Sequence, residues 1–247
     1  MRNERVSVIV PCFNEGMTIS GNVKRIHNYL TANFADFEII AVDDGSKDNT
    51  VSELSLVQKE VPLVIIDSRE NEGKGSTVKK GVLAASGDDG IIMFLDADLA
   101  IPIEELRAFA EEIEQGRDIA IASRFVPGLR ILEPVLWHRR IMERVFRLLR
   151  MLILNSWEVQ DTQCGFKVFR REAAVRIFSA ATIKRFAFDS EVIFIARKMG
   201  YSIKELPITL QNPRASTVRL FVDPFTMFFA LFKIRVNDFK GVYRWGK

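Results

Sequence analysis

The octapeptide Ile91-Ile92-Met93-Phe94-Leu95-Asp96-Ala97-Asp98 decides how the rest of the chain is read. Its apolar run suits a buried strand, and the abrupt change to carboxylates marks the strand's carboxyl end. In an open α/β sheet that end is where ligands bind. The same grammar recurs elsewhere in the chain. Arg5 to Val10 stops at Pro11-Cys12-Phe13-Asn14-Glu15, Phe37 to Val42 at Asp43-Asp44-Gly45-Ser46, Leu63 to Ile66 in a polar loop, and Asp118 to Ala122 at Ser123-Arg124. Helix-compatible stretches separate these runs, from Asn14 to Leu30 and around Thr50 to Lys59, Ser76 to Ala85 and Ile103 to Glu114. Short strands alternating with helices predict βαβ units, hence an α/β fold with a mostly parallel sheet flanked by helices. Asn14, Glu15, Asp43, Asp44, Asp96, Asp98, Ser123 and Arg124 would then share one rim.

Beyond Arg124 the rhythm changes. Residues 135–157 set Arg139, Arg140, Arg144, Arg147 and Arg150 among Leu, Ile, Phe, Met and Trp. Gly165 to Arg170 reads as a strand, Glu172 to Ala181 and Asp189 to Lys198 as helices, and Ile203 to Ile208 as an edge strand limited by Pro207. Pro224 to Val236 reads as an apolar helix. No internal repeat or low-complexity linker divides the chain. The expectation is one domain over residues 1–220, including the basic segment 135–157, followed by an apolar helix and tail over 221–247.

A chain of 247 residues, 48% hydrophobic and 27% charged, is neither disordered, collagenous nor a disulfide framework. The net charge of +3 conceals an asymmetry: residues 1–124 carry 13 Lys+Arg against 22 Asp+Glu, a net of −9, and the remainder 22 against 10, a net of +12. An acidic half joined to a basic half suggests a cation on one side and an anionic partner on the other. Cys12 and Cys164 make no framework, and no charged n-region followed by an apolar h-region opens the chain, which fits a cytosolic, reducing compartment. The longest uncharged stretches, such as Pro224 to Phe232, fall far short of the roughly 20 residues of a spanning helix. Segment 135–157 suits the headgroup region of a membrane, its cations attracting anionic lipid, with an ordinary amphipathic helix packed on the sheet as the alternative. Phe225, Phe228, Phe229 and Phe232 suit a dimer contact, a core helix or a second membrane-surface element.

Asp96 and Asp98 at a strand end can both face a hard divalent cation, since Mg²⁺ takes one or two carboxylates plus substrate phosphate oxygens. A pair of solvated turn aspartates, or a helix cap before Pro102-Ile103-Glu104, is the alternative. A carboxylate of Asp43-Asp44-Gly45-Ser46 can accept from a base or ribose, or simply build a turn. Asn71-Glu72-Gly73-Lys74-Gly75-Ser76-Thr77 is not a P-loop, because Gly75 follows Lys74, and no G-x-G-x-x-G follows the first strand. Two common nucleotide folds are thereby disfavoured. His27 and His138 read as structural or interfacial.

Taken together, Pro11 to Glu15, Val42 to Ser46, Asn71 to Gly75, Asp96-Ala97-Asp98 and Ser123-Arg124 resemble the family 2 glycosyltransferases with the Rossmann-like GT-A fold. Asp161-Thr162-Gln163-Cys164-Gly165-Phe166-Lys167 and Phe186-Ala187-Phe188-Asp189-Ser190-Glu191 are similar to the branch of polyprenyl-phosphate sugar synthases that includes dolichyl-phosphate β-glucosyltransferase. The resemblance extends to about Leu220. It implies that Pro11, Phe13, Glu15, Val42, Asp44 and Lys74 hold the nucleotide sugar together with Asp96, Ala97 and Asp98. It implies that Asp96 and Asp98 bind Mg²⁺ or Mn²⁺ and that Arg124, Arg139 and Arg214 meet the lipid phosphate or the donor diphosphate. Departures are Ala100 and Ala187 where the related mannosyl synthases carry Gln and Lys, and Ala215 to Leu220 where they show Gly and then Ser-Lys-Leu. Gly241, at the Gln position of a Q-x-x-R-W motif, sets a processive polysaccharide synthase aside.

The expected activity is therefore metal-dependent, inverting transfer of a hexose, glucose from UDP-glucose first, to a dolichyl or undecaprenyl phosphate. The place is the cytosolic face of a membrane, with an anionic membrane surface and a second copy of the chain as candidate partners and nucleic acid as none. A phosphate monoester with a second pKa of about 6 needs no strong base to act as nucleophile. A saccharide hydroxyl acceptor, the first alternative, would require a carboxylate base, with Asp189 the first candidate and Asp161 the second. A non-catalytic adaptor on membranes or nucleic acid is the second alternative.

Overall fold

The computed structural model describes residues 5–132, 137–211 and 223–243. Its strands are β1 (Val6–Cys12), β2 (Phe37–Asp43), β3 (Val64–Asp67), β4 (Ile91–Leu95), β5 (Ile119–Ala122), β6 (Arg130–Ile131), β7 (Phe166–Arg170), β8 (Ile203–Leu206) and β9 (Thr209–Leu210). Its helices are α1 (Ile19–Asn33), α2 (Thr50–Val57), α3 (Lys74–Ala84), α4 (Leu106–Glu114), α5 (Trp137–Leu154), α6 (Arg171–Ala180), α7 (Phe188–Lys198) and α8 (Asp223–Phe239), with a 3-10 turn at Ile103–Glu105 before α4. Seven strands form one sheet in the order β3-β2-β1-β4-β7-β5-β8, and β6 pairs with β9 in a separate ribbon.

The alternation of β1 explains the layering. Val8 and Val10 join a core with α1, α2 and α4, while Ile9 joins the opposite core with α3, α6 and α7. Pro11 is tolerated inside β1 because pairing with β4 ends at Ile9↔Phe94, before a missing N–H would be felt on that side. The run Ile203 to Ile208 breaks at Pro207: β8 ends at Leu206 as the sheet's edge strand, and Thr209–Leu210 turns away to β6.

One strand runs against the rest. β7 is antiparallel to both β4 and β5, with Leu95 opposite Phe166. Its beginning, not its end, therefore lies at the rim. The loop Asp161 to Gly165 is thereby delivered beside Asp96, something the sequence rhythm does not announce.

Helices α5 and α8 pack against each other and leave two apolar stripes exposed: Ile141, Val145, Leu148 and Leu152 on α5, and Phe225, Phe229, Phe232, Val236 and Phe239 on α8. The arginines of the basic segment do not form one solvated face. Arg150 is 1% exposed and donates to the carbonyls of Ser156, Val159 and Gln160 and to Ser156 Oγ. Arg147 stacks over Phe125, 4.2 Å from the ring centroid. Arg139 is in the first turn of α5, its side chain outside the described atoms, and Arg214 and the 220/221 boundary lie outside the described residues. Among the described residues no helix is long and apolar enough to cross a membrane.

Candidate active site

The first two rim loops are laced together by short polar side chains. Asn14 adopts φ 55°; its N–H donates to Ser46 Oγ at 2.8 Å, and its side-chain oxygen accepts the Lys47 N–H at 2.8 Å. The N–H groups of Glu15 and Gly16 donate to Thr50 Oγ1 and Asp48 Oδ2. Asp43 is buried and caps Ser46, leaving Asp44 to reach the next loop. Asp44 accepts the N–H groups of Glu72 and Gly73 at 2.9 and 3.0 Å. Burial pushes its carboxyl above the usual range, against the pull of these bonds. Pro11, Phe13 and Glu15 remain half-buried at this end, whereas Val42 is wholly buried among Ile9, Ile40 and Val78 and packs the core.

Asp96 and Asp98 follow β4 as the sequence suggests. Asp98 Oδ1 accepts the Ala100 N–H at 3.0 Å, a tight turn in which Leu99 takes φ 51°. Asp96 forms an ion pair with Lys74, the first residue of α3, yet keeps 41% of its side chain exposed. Burial would lower the Lys74 pKa, but Asp96, Asp189 and Asp98 together raise it, so the ammonium stays charged. Gly165 makes room for this arrangement: a Cβ there would stand 2.0 Å from Asp96 Oδ2. Among the described residues no three His, Cys, Asp or Glu side chains gather as a metal cluster. Two carboxylates, one of them open, fit a cation that takes its remaining ligands from substrate oxygens and water, as Mg²⁺ does.

Behind this pair lie two further charged groups. Lys167 is fully buried on β7, bonded to the Cys164 carbonyl and ion-paired with Asp189, the second residue of α7. Burial pushes the Asp189 carboxyl up while Lys167 and Lys74 draw it down, with a net rise. Arg124 grips Asp161 through Nε at 2.7 Å and Nη2 at 3.1 Å, and holds Glu143 of α5 at 2.8 Å. Glu205 on β8 accepts the N–H groups of Gln160 and Asp161 at 2.7 and 2.9 Å, completing the support of that loop. Glu143 and Glu205 are residues that sequence reasoning does not single out, and Gly165 and Lys167 stand in the stretch Asp161 to Lys167 that carries the family resemblance without a role of their own. A lysine set between Phe166 and Val168 was the one available signal for the buried charge. Cys12 and Cys164 are free and buried.

A doubly wound sheet interrupted by one antiparallel strand, with a D-x-D at its carboxyl edge, defines a glycosyltransferase of GT-A type. The chain belongs to glycosyl transferase family 2, whose family model matches residues 7–178. It is 30% identical over 226 residues to dolichyl-phosphate beta-glucosyltransferase ALG5A of Trichomonas vaginalis, a match over 87% of this chain and 68% of the relative. To the dolichyl-phosphate beta-glucosyltransferases of Dictyostelium discoideum and Homo sapiens it is 27% and 29% identical, over 98% of this chain and 77% and 78% of theirs. Glucosyl-3-phosphoglycerate synthase from Mycobacterium tuberculosis, solved with Mn²⁺, UDP and glucosyl-3-phosphoglycerate, shares the fold with a TM-score of 0.67 at 19% identity, covering 95% of this chain and 79% of that one.

Proposed function

We propose that this glycosyltransferase moves glucose from UDP-glucose to a polyprenyl phosphate, dolichyl or undecaprenyl, with inversion and with Mg²⁺ or Mn²⁺ at Asp96 and Asp98, on the cytosolic face of a membrane. The observation that carries the reading is the state of the carboxylates. Asp189 and Asp161, the two candidate bases, are buried and held by Lys167 and Arg124. A hydroxyl acceptor would find no free base there, whereas a phosphate monoester, ionised at pH 7 with a second pKa of about 6, needs none. The names of the relatives above point the same way.

In this reading Asp44 and the laced loops around Glu15 receive the nucleotide, and the acceptor phosphate oxygen attacks the sugar's anomeric carbon as its bond to the diphosphate breaks. Asp96 and Asp98 would hold the divalent cation, whose charge neutralises the departing diphosphate. Lys74 stays protonated beside it and adds positive charge where negative charge develops. The apolar stripes of α5 and α8 suit a lipid surface, which keeps the acceptor's headgroup near the rim.

Radiolabelled transfer tests this. Label passing from UDP-glucose to an organic-extractable, mild-acid-labile product is expected; a purely aqueous product would instead favour a saccharide acceptor. Asp98→Ala is expected to abolish turnover and leave vesicle binding nearly intact. Vesicle binding that is indifferent to Asp98→Ala and to EDTA, with no transfer by wild-type protein, would leave the adaptor reading standing.

A further inference from the structure

We propose that Arg185 binds the diphosphate of the sugar donor, an inference that rests on the nucleotide-sugar reading above. A nucleoside diphosphate brings at least two negative charges to a rim whose cations are largely spent. Lys74 is on Asp96, Lys167 on Asp189, Arg124 on Asp161 and Glu143, and Lys80 and Lys184 both on Glu72. Arg185 differs from all of these. It is exposed, and among the described residues its guanidinium makes no hydrogen bond or ion pair.

Its place is set by backbone and packing instead. Gly73, at φ +102°, approaches so closely that a Cβ there would lie 2.7 Å from Arg185 Cγ and 3.2 Å from its Cα. The stem of Arg185 thus crosses the residue whose N–H is bound by Asp44 and whose successor, Lys74, pairs with Asp96. On one side of Arg185, the Lys184 carbonyl accepts the Ser76 N–H of α3 at 3.1 Å; on the other, the Arg185 carbonyl accepts the Phe188 N–H of α7 at 2.9 Å. The residue is therefore pinned at the first turns of two helices and against Gly73, which is linked on one side to the carboxylate assigned to the nucleoside and on the other, through Lys74, to the D-x-D assigned to the cation. What lies between those two ends of a nucleotide sugar is the diphosphate, and a planar guanidinium free of carboxylates can hold it in bidentate fashion.

Calorimetric titration with UDP and with uridine, in Mn²⁺, reads this directly. Arg185→Gln is expected to weaken UDP roughly tenfold or more and leave uridine unchanged, because the lost contact is a charge-assisted one to phosphate. Arg185→Lys should recover part of the loss, and the donor KM should rise with the lipid acceptor KM unmoved. UDP binding unchanged in Arg185→Gln, or UDP and uridine weakened alike, would overturn the assignment while the donor reading stands. Failure of the wild-type protein to bind either UDP or GDP would overturn both. Should Arg185→Gln lower the melting temperature, Arg185→Met, which removes the charge and keeps an apolar stem on Gly73, carries the same comparison.

Discussion

Asp96 depends on a residue with no side chain. Because a Cβ at Gly165 would stand 2.0 Å from Asp96 Oδ2, Gly165→Ala must displace the carboxylate or the β7 loop. Misplacement of a reacting group by about 1 Å can cost about 100-fold, so a loss of that order in kcat/KM is expected, with a melting temperature close to wild type. Retained activity would show that Asp96 does not need its present position. Asp161 is a second case in which one residue has a measurable signature. Burial would raise its pKa, but the charge and hydrogen bonds of Arg124 hold it below the usual carboxylate range. Such a group stabilises the fold fully above its unfolded pKa of about 3.9 and loses that contribution as pH falls through the folded value. The melting-temperature gap between wild type and Asp161→Asn should therefore be widest near pH 7 and narrow toward pH 3. A gap that stays constant with pH would remove the ion pair from the explanation. Asp96 and Asp98 were legible in sequence because a D-x-D closes an apolar run; Lys167 and Gly165 were not, since their roles depend on which strand lies next to β4.

At the level of elements, the parallel strands and their helices were legible because each strand's apolar run ends in polar residues at the same edge. The antiparallel course of β7 was hidden, since a five-residue strand carries no sign of its direction. The basic segment shows the opposite failure: the expected amphipathic helix is there as α5, but its arginines are not all free to attract anionic lipid. Arg150 instead ties the end of α5 to residues 156–160 through four acceptors in Ser156, Val159 and Gln160. Removing it leaves those buried acceptors unpaired, so Arg150→Leu is expected to destabilise the protein by about 3 kcal/mol in urea titration. A change within experimental error would mean that water replaces the guanidinium.

For the whole molecule, part of the charge behind the −9 and +12 halves of the chain is neutralised within the fold. Lys74 of the acidic half neutralises Asp96, and Arg124, at the seam, is spent on Asp161 and Glu143 of the basic half. What the second half presents outward on α5 and α8 is apolar as much as basic, with Leu148, Leu152, Phe229 and Phe239 all exposed. Attachment to a lipid surface, as proposed, should then depend on both forces. Burying the stripes is salt-insensitive, while attraction of the remaining exposed cations to anionic lipid is screened, the Debye length being about 8 Å at physiological ionic strength. In sedimentation with phosphatidylserine-containing vesicles, Leu148→Glu combined with Phe229→Glu should reduce the bound fraction at every salt concentration. Wild-type binding should weaken with salt but persist at 0.5 M, roughly three times physiological ionic strength. Complete release of the wild type by that salt would make attachment electrostatic alone. Unchanged binding by the double variant would assign the two stripes to a second protein chain, with a fall in oligomeric state as the accompanying sign.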